Sequence, residues 1–369
     1  MPANAKLSNE MNLLLSACLQ TRLSDFNNFD DSNLRRMVRY HGVRPQFLNY
    51  LHQNDIQVSF QKELVDECQQ IAFINLLSSR ELSGLFNMLK ENGVDCYAYK
   101  GSVWADWLYG DVGKREFGDI DLLIDRESFQ LALQLLSKAG YKPDSYRSFL
   151  LESAARTEAF FRTDYHIPLE NTSSATSSMV EAHWEVAYPR LHFQFPSSEW
   201  KQFHQEYQIR NIRIDAFTNE YQFLLLVVHH GGKEQWSRLK YIADFAAFMT
   251  RWGCTIDWNL TANLAREKGI YTLLVQSLGL LKALGLPWKD AWQIKPEEVD
   301  TASFVKTWEE MPPAASNSSW PYFVHGMSVH DGIVHKSKVL FKHLKYLTEV
   351  NLLIDKARWY KRNPTSDVL

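Results

Sequence analysis

Two aspartates stand one residue apart in the run GDIDLLI, Asp119 and Asp121, within a segment that otherwise reads as a buried strand of Ile120, Leu122, Leu123 and Ile124. Burying an unpaired carboxylate is costly. On a strand, residues i and i+2 share a face about 7 Å apart, so these two carboxylates can share divalent ions, and hard cations such as Mg²⁺ take oxygen ligands. A calcium loop fits poorly, because Ile120 and Leu122 deny it the loop geometry and the further oxygens it needs. The same alternation also describes a half-exposed strand with a wet face, so the pair alone leaves both readings open. A third acid comes from a later candidate strand, where Glu181, His183 and Glu185 share one face. Three acids on adjacent strands suit two-metal phosphate chemistry, in which one ion activates a hydroxyl and the other neutralises phosphate and leaving group. Strand parity selects Glu181 but admits Glu185.

Upstream, Lys100-Gly101-Ser102 follows a short apolar run and opens a helix, so its backbone N–H groups and hydroxyl are placed to hold phosphate oxygens. A lone Gly-Ser is a weak signal; beside the paired acids it becomes more specific. Further along, HHGGK places His229 and His230 side by side. Adjacent residues point to different faces of a helix, and a zinc site needs more ligands than this. Lys233, Arg238 and Lys240 instead form a polar face for phosphate or acceptor, or a solvated helix end. Trp184, Trp236 and Trp258 suit core packing more readily than stacking on a base. The basic run Lys336, Lys338, Lys342, Lys345, Lys356, Arg358, Lys361 and Arg362 reads as a solvated helix face rather than an RNA surface, since the chain carries a net charge of −3.

The elements that must position these residues follow from periodicity. Residues 9 to about 92 show helical spacing, ended by Gly93; Val94–Tyr99 and Gly118–Ile124 read as strands, Val103–Tyr109 as a brief helix and Glu127–Ala139 as a helix closed by Gly140. Asn171–Ser178 reads as a loop, Val180–Tyr188 and Tyr207–Ile214 as strands, and everything from Asn219 as helix, with a break near 311–321 before a basic helix over 334–361. The expected organisation is a helical region 1–92, a sheet-bearing core 93–216 and a helical region 217–369. At 369 residues, 45% apolar and 22% charged, the chain has the make-up of a soluble globular protein, and its 12 Trp, 16 Tyr and 21 Phe supply a large core or an aromatic pocket. The mildly acidic balance argues against gripping a long nucleic acid. Four scattered cysteines form neither a zinc site nor a disulfide framework and point to a reducing cytoplasm. The N-terminal segment reads as an amphipathic helix rather than a secretion signal, and no apolar run reaches membrane-spanning length.

The order strand, Gly-Ser, Asp-x-Asp on a strand, acid on a later strand resembles the polymerase-beta-type nucleotidyltransferase superfamily. More closely, Lys100, Gly101, Tyr109, Arg115, Asp119 and Asp121 stand where a poorly characterised bacterial branch, the uncharacterised nucleotidyltransferases, carries the same residue types. Glu181-Ala-His183-Trp184, then His230, Lys233, Trp236 and Asp244, then Asp257-Trp258 are similar to later parts of that pattern, as is RYHGVRPQFLNYL upstream. The likeness spans roughly residues 35 to 285. It implies an α+β fold: a nucleotidyltransferase core with a small mixed sheet and flanking helices, set between helical regions. It implies an enzyme that moves an NMP from an NTP, ATP being the expected donor, to a hydroxyl or phosphate of a small molecule, glycan precursor or peptide, releasing pyrophosphate. Asp119, Asp121 and Glu181 would be catalytic and hold two Mg²⁺ ions (or Mn²⁺), with Glu181 also helping to deprotonate the acceptor. Lys100, Gly101, Ser102, Arg115 and Lys233 would bind phosphate. The loop from Gly101 to Asp119 is longer than in minimal superfamily members, which bears on the phosphate role. The alternatives are a phosphotransferase on a small molecule or peptide, and a non-catalytic nucleotide- or partner-binding protein of toxin–antitoxin type.

Overall fold

The structure, a computed structural model, describes residues 7–22, 28–171, 179–311 and 320–363. Its described strands are β1 (Cys96–Ala98), β2 (Asp119–Ile124), β3 (Lys142–Pro143), β4 (His166–Glu170), β5 (Met179–His183), β6 (His204–Ile209) and β7 (Ile212–Phe217). The chain divides into two compact units, one made of Met1–Ser79, Lys100–Gly118 and Thr218–Ser319, the other of Arg80–Tyr99, Asp119–Phe217 and Trp320–Leu369.

The second unit holds the sheet, in the order β1-β2-β5-β4-β3. β2 and β5 run parallel, while β1–β2, β4–β5 and β3–β4 are antiparallel. Ile120, Leu122 and Ile124 alternate with Asp119, Asp121 and Leu123, and all but Asp119 are buried. That alternation divides the strand into an apolar face and an acidic one. Aromatic rings fill the core of this unit: Phe129, Phe161 and Trp184 pack edge to face with centroids 4.5–5.4 Å apart. The Trp184 indole donates to the carbonyl of Phe161.

Three expectations for this unit need correction. The strand expected over Val180–Tyr188 ends at His183, because the amides of Trp184 and Glu185 both donate to the carbonyl of Tyr165 and the ladder closes there. The strand expected over Tyr207–Ile214 is a hairpin, β6 and β7, turning at Arg210 with φ +53. No Gly or Asn-Gly pair announced this turn. The single basic helix is two, Gly332–Thr348 and Val350–Arg362, interrupted at Glu349, whose carboxylate holds Arg162. The first of these leaves Ile333, Phe341 and Leu347 more than half exposed, so its outer face is not simply a basic one. The Ser/Thr-rich segment at 172–178 and the break at 312–319 lie outside the described residues.

The first unit is helical. Its segments Asn9–Leu19, Asp31–His41 and Arg44–Gln53 each end as local chemistry requires; Gly42, for instance, takes φ +65 at the end of the second. Trp104 and Trp107 are fully buried on the helix Gly101–Tyr109 and donate to Gln222 and Asn219, on and at the start of the helix Asn219–Val227. After Val227 the chain widens into a π-turn over Val228–Lys233, then enters the helix Leu239–Arg251. Gly231 sits where an added Cβ would come within 2.9 Å of the Trp236 indole nitrogen, so a side chain has no room there. Trp236 and Trp258 are buried, core packing as expected. The α+β class, with a small mixed sheet and flanking helices, is the one expected.

Candidate active site

β2 and β5 pair in a register that sets Asp121 opposite Glu181, Asp119 opposite Met179 and Leu123 opposite His183. Strand alternation then places Asp119 and Asp121 on one face of β2, and Glu181 and His183 on the same face of β5. One ligand atom from each of Asp121, Glu181 and His183 lies within 4.8 Å of the others. Asp119 begins β2 and is half-buried, whereas Asp121 is 2% exposed.

Two carboxylates this close repel each other unless something positive or hydrogen-bonding lies between them. His183 Nε2 is 3.0 Å from Asp121 Oδ1 and 3.1 Å from Glu181 Oε2. An ionised carboxylate only accepts, so Nε2 carries the proton and bridges both acids. Tyr99 Oη lies 3.2 Å from Nδ1, fixing the far side of the ring. His166, on β4 directly opposite His183, stacks on it with centroids 5.1 Å apart and sits 3.6 Å from Glu181 Oε1. Burial holds the His166 imidazole below its ordinary value, so the ring tends to remain neutral. A buried imidazole thus cross-braces an acid pair across two parallel strands.

Glu185, the other reading for the third acid, is not part of this group. It lies beyond the end of β5, and burial pushes its carboxyl up to about 7, against the opposing pull of Lys342. A carboxyl whose folded value is raised is penalised when charged, so stability falls as pH rises from about 4.5 to about 7 and is level above that. Glu185→Gln is therefore expected to stabilise the chain at pH 8 by up to about 3 kcal/mol and to leave it unchanged near pH 4. Urea unfolding at the two pH values checks this; equal effects at both would show that Glu185 is not held protonated.

The phosphate candidates fall in the first unit. Lys100 is 7% exposed and takes φ +56, a sparsely populated conformation for a non-glycine residue. Gly101 follows at φ +38, and the helix it opens has no side-chain cap. Ser102 is buried and bonds to Ser79 through its hydroxyl at 2.9 Å. Arg115 is buried and ion-paired with Asp244 at 2.9 Å, and Asn75 clamps the carbonyls of Val112 and Arg115. Lys233 closes the π-turn and pairs with Glu234 at 3.1 Å. Asp244 also accepts from Tyr109 Oη at 2.9 Å and lies 3.0 Å from His230 Nε2.

Sequence reasoning missed Tyr99 and His166 as parts of the acid group and did not foresee the Arg115–Asp244 pair. β4 alternates, with Ile167 and Leu169 buried, but a proline in the middle of HIPLE weakens the strand reading. The two histidines of the HHGGK run also differ from expectation. The π-turn brings their Nδ1 atoms to 3.0 Å, although on an α-helix adjacent rings would diverge.

Among the described residues, no helix is long and apolar enough to cross a membrane. All four cysteines are free. No curated protein matches the chain. Among solved structures it is similar to an antigenic nucleotidyltransferase-like protein from Paracoccidioides brasiliensis, at 15% identity over 59% of this chain and 93% of that one, with a TM-score of 0.31, too loose a likeness to carry an argument. The family described as uncharacterised nucleotidyltransferase matches residues 27–285. With most of its length so matched, the chain belongs to the uncharacterised nucleotidyltransferase family.

Proposed function

We propose that the chain transfers a nucleoside monophosphate from a nucleoside triphosphate, ATP being the expected donor, to an acceptor and releases pyrophosphate, with Mg²⁺ or Mn²⁺ as cofactor. The observation that carries this reading is the acid pair Asp121–Glu181, facing across parallel strands and braced by His183, in a member of a nucleotidyltransferase family. The donor set fits a hard divalent cation: carboxylate oxygens are its preferred ligands, and the imidazole is already engaged in orienting them. Asp119, Asp121 and Glu181 would hold the ions. Bound there, the ions would supply charge neutralisation of the triphosphate and a lowered pKa for the attacking group.

The protein's own part is positioning and charge compensation. Lys100, Gly101 and Ser102 are proposed to hold phosphate oxygens. The strained backbone at Lys100 and the uncapped N–H groups of the helix it opens support this. Lys233 is proposed as a further phosphate cation, and Arg115 is a weaker one because Asp244 already takes its charge. A cytoplasmic location suits the unpaired thiols.

The test is turnover of ATP, GTP, CTP and UTP with Mg²⁺ or Mn²⁺ and a cell extract as acceptor source, following pyrophosphate. Pyrophosphate release from at least one NTP is expected. Nucleoside diphosphate as the leaving group would assign γ-phosphate transfer instead. Binding of NTP by calorimetry without any turnover would assign a nucleotide-binding role.

A further inference from the structure

The basic run that reads along the sequence as a solvated helix face does not all face solvent. Lys342, Lys345 and Tyr346 share one side of the helix Gly332–Thr348, as residues i, i+3 and i+4 must, and wall a cavity of about 150 Å³ within the second unit. Arg162, near the end of the helix Ala154–Thr163, and Arg190, in the 3₁₀ turn Pro189–Leu191, line it as well. Glu349 is the one carboxylate in the wall, and Arg162 already engages both its oxygens, at 2.9 and 3.1 Å. Among the described residues, none of Arg190, Lys342 and Lys345 donates a hydrogen bond to a carboxylate or a carbonyl. The Arg190 guanidinium is nonetheless held in place, 4.6 Å from the Tyr188 ring and 5.2 Å from the Tyr346 ring. Stacking on aromatic faces leaves the N–H edge of the fork open to an oxyanion.

We propose that this cavity binds the phosphate group of a phosphomonoester, or free phosphate, with Arg190 as the fork and Lys342 and Lys345 as point charges. Like charges around a small volume focus their field into it. The chain as a whole carries −3, so the positive wall is a local arrangement and not general basicity. Lys342 is half-buried, and burial together with Lys338 and Lys345 lowers its ammonium from the ordinary value. Glu185, the one carboxyl acting against this, is itself held up to about 7. A bound anion relieves that repulsion. Thr163, also in the wall, spends its hydroxyl on the carbonyls of Ala159 and Phe160, so recognition falls to charged N–H donors. Three uncompensated cations match a phosphate monoester, with a charge of about −1.5 to −2 and three acceptor oxygens, better than a carboxylate. The volume admits one such group and not a nucleic-acid strand. Tyr188 packs on Tyr165 at 4.6 Å and Tyr165 on His183 at 5.6 Å, so two rings stand between Arg190 and the acid group. A phosphate held here is therefore not one that the acids transfer, and the site stands whether or not the chain transfers nucleotides. Lys342 and Lys345 also lie beyond residues 27–285, the part that the family shares.

The test is calorimetry of the full chain at neutral pH and ~0.15 M salt, without metal ion or nucleotide, using inorganic phosphate, glycerol 3-phosphate and glycerol. Both phosphate probes are expected to bind at a single site and to displace each other, and glycerol is expected not to bind. Arg190→Gln and Lys342→Gln are each expected to weaken binding by ~10-fold or more, the worth of one charge-assisted hydrogen bond. Thermal unfolding shows whether each variant folds; should one fail, the other decides. Glu349→Gln is expected to tighten binding, because it releases Arg162 to the ligand, a gain that purely structural cations would not give. Asp121→Asn is expected to bind phosphate as the wild type does. Tighter binding of glycerol 3-phosphate than of inorganic phosphate assigns a phosphomonoester; equal or weaker binding assigns free phosphate. No binding of either at ~10 mM overturns the site, as does wild-type affinity in both Arg190→Gln and Lys342→Gln. Binding that survives those two changes but is lost in Lys100→Gln overturns it in favour of the residues proposed for the triphosphate.

Discussion

Asp121→Asn is expected to fold as the wild type does and to release pyrophosphate at least ~1,000-fold more slowly, a loss of about 4 kcal/mol of transition-state stabilisation. The substitution keeps the shape of the side chain and an oxygen that can still accept from His183 Nε2. What it removes is one negative charge from a pair whose other member, the half-buried Glu181, sits opposite in the β2–β5 register. Thermal unfolding should show a shift of only a few degrees, while the pyrophosphate signal disappears. Asp119→Asn is expected to act in the same direction, and combining either change with Glu181→Gln should cost far less than the sum of the two, because the acids act as one unit. A variant of Asp121 that turns over at the wild-type rate would sink the assignment of the acid pair.

Asp244→Ala is expected to cost 3–5 kcal/mol of folding stability, on the order found when one partner of a buried ion pair is removed. The side chains of Arg115 and Asp244 are 7% and 1% exposed, so the guanidinium would be left charged and desolvated. The Tyr109 hydroxyl and the His230 Nε2–H would lose their acceptor as well. Because the Asp244 carboxyl is held below its ordinary 3.8 in the folded chain, its contribution is complete above that value and is lost as pH falls through the lower, folded one. The gap between wild type and Asp244→Ala should therefore be full at pH 7 and narrow only in strong acid. Urea midpoints at pH 7 and pH 3 measure it; a deficit below about 1 kcal/mol at pH 7 would mean that water reaches Arg115. The neutral isostere Asp244→Asn, which retains an acceptor oxygen, should fall between the two.

How far the site can be read along the chain depends on the range of the forces involved. The side-chain period of a strand is local, so GDIDLLI by itself places Asp119 and Asp121 on one face and Ile120 and Leu122 on the other, and the structure keeps that division. Glu181, His183 and Glu185 have the same parity, however, and parity cannot choose among them. The choice is made by the register of β5 against β2 and by the end of β5 at His183, where two amides turn to the carbonyl of Tyr165. His166 and Tyr99 were hidden for a related reason: His166 meets His183 only through the β4–β5 pairing, and Tyr99 only through a side-chain contact 84 residues away in sequence.

HHGGK and Arg115 show the other limit. On an α-helix two successive histidines diverge by about 100°, whereas here, on the wider π-turn, their Nδ1 atoms lie 3.0 Å apart. Arg115 reads locally as a phosphate ligand, yet its carboxylate partner lies 129 residues further on. Residue periodicity and spacing thus carry the α+β class, the strand bearing the paired acids and the helix opened by Gly101, since these depend on neighbours a few residues apart. Tertiary structure alone decides which acid joins Asp121, which histidine braces the pair and which carboxylate neutralises Arg115. A buried charge is tolerable only where a distant partner is folded against it, and no local pattern encodes that partner.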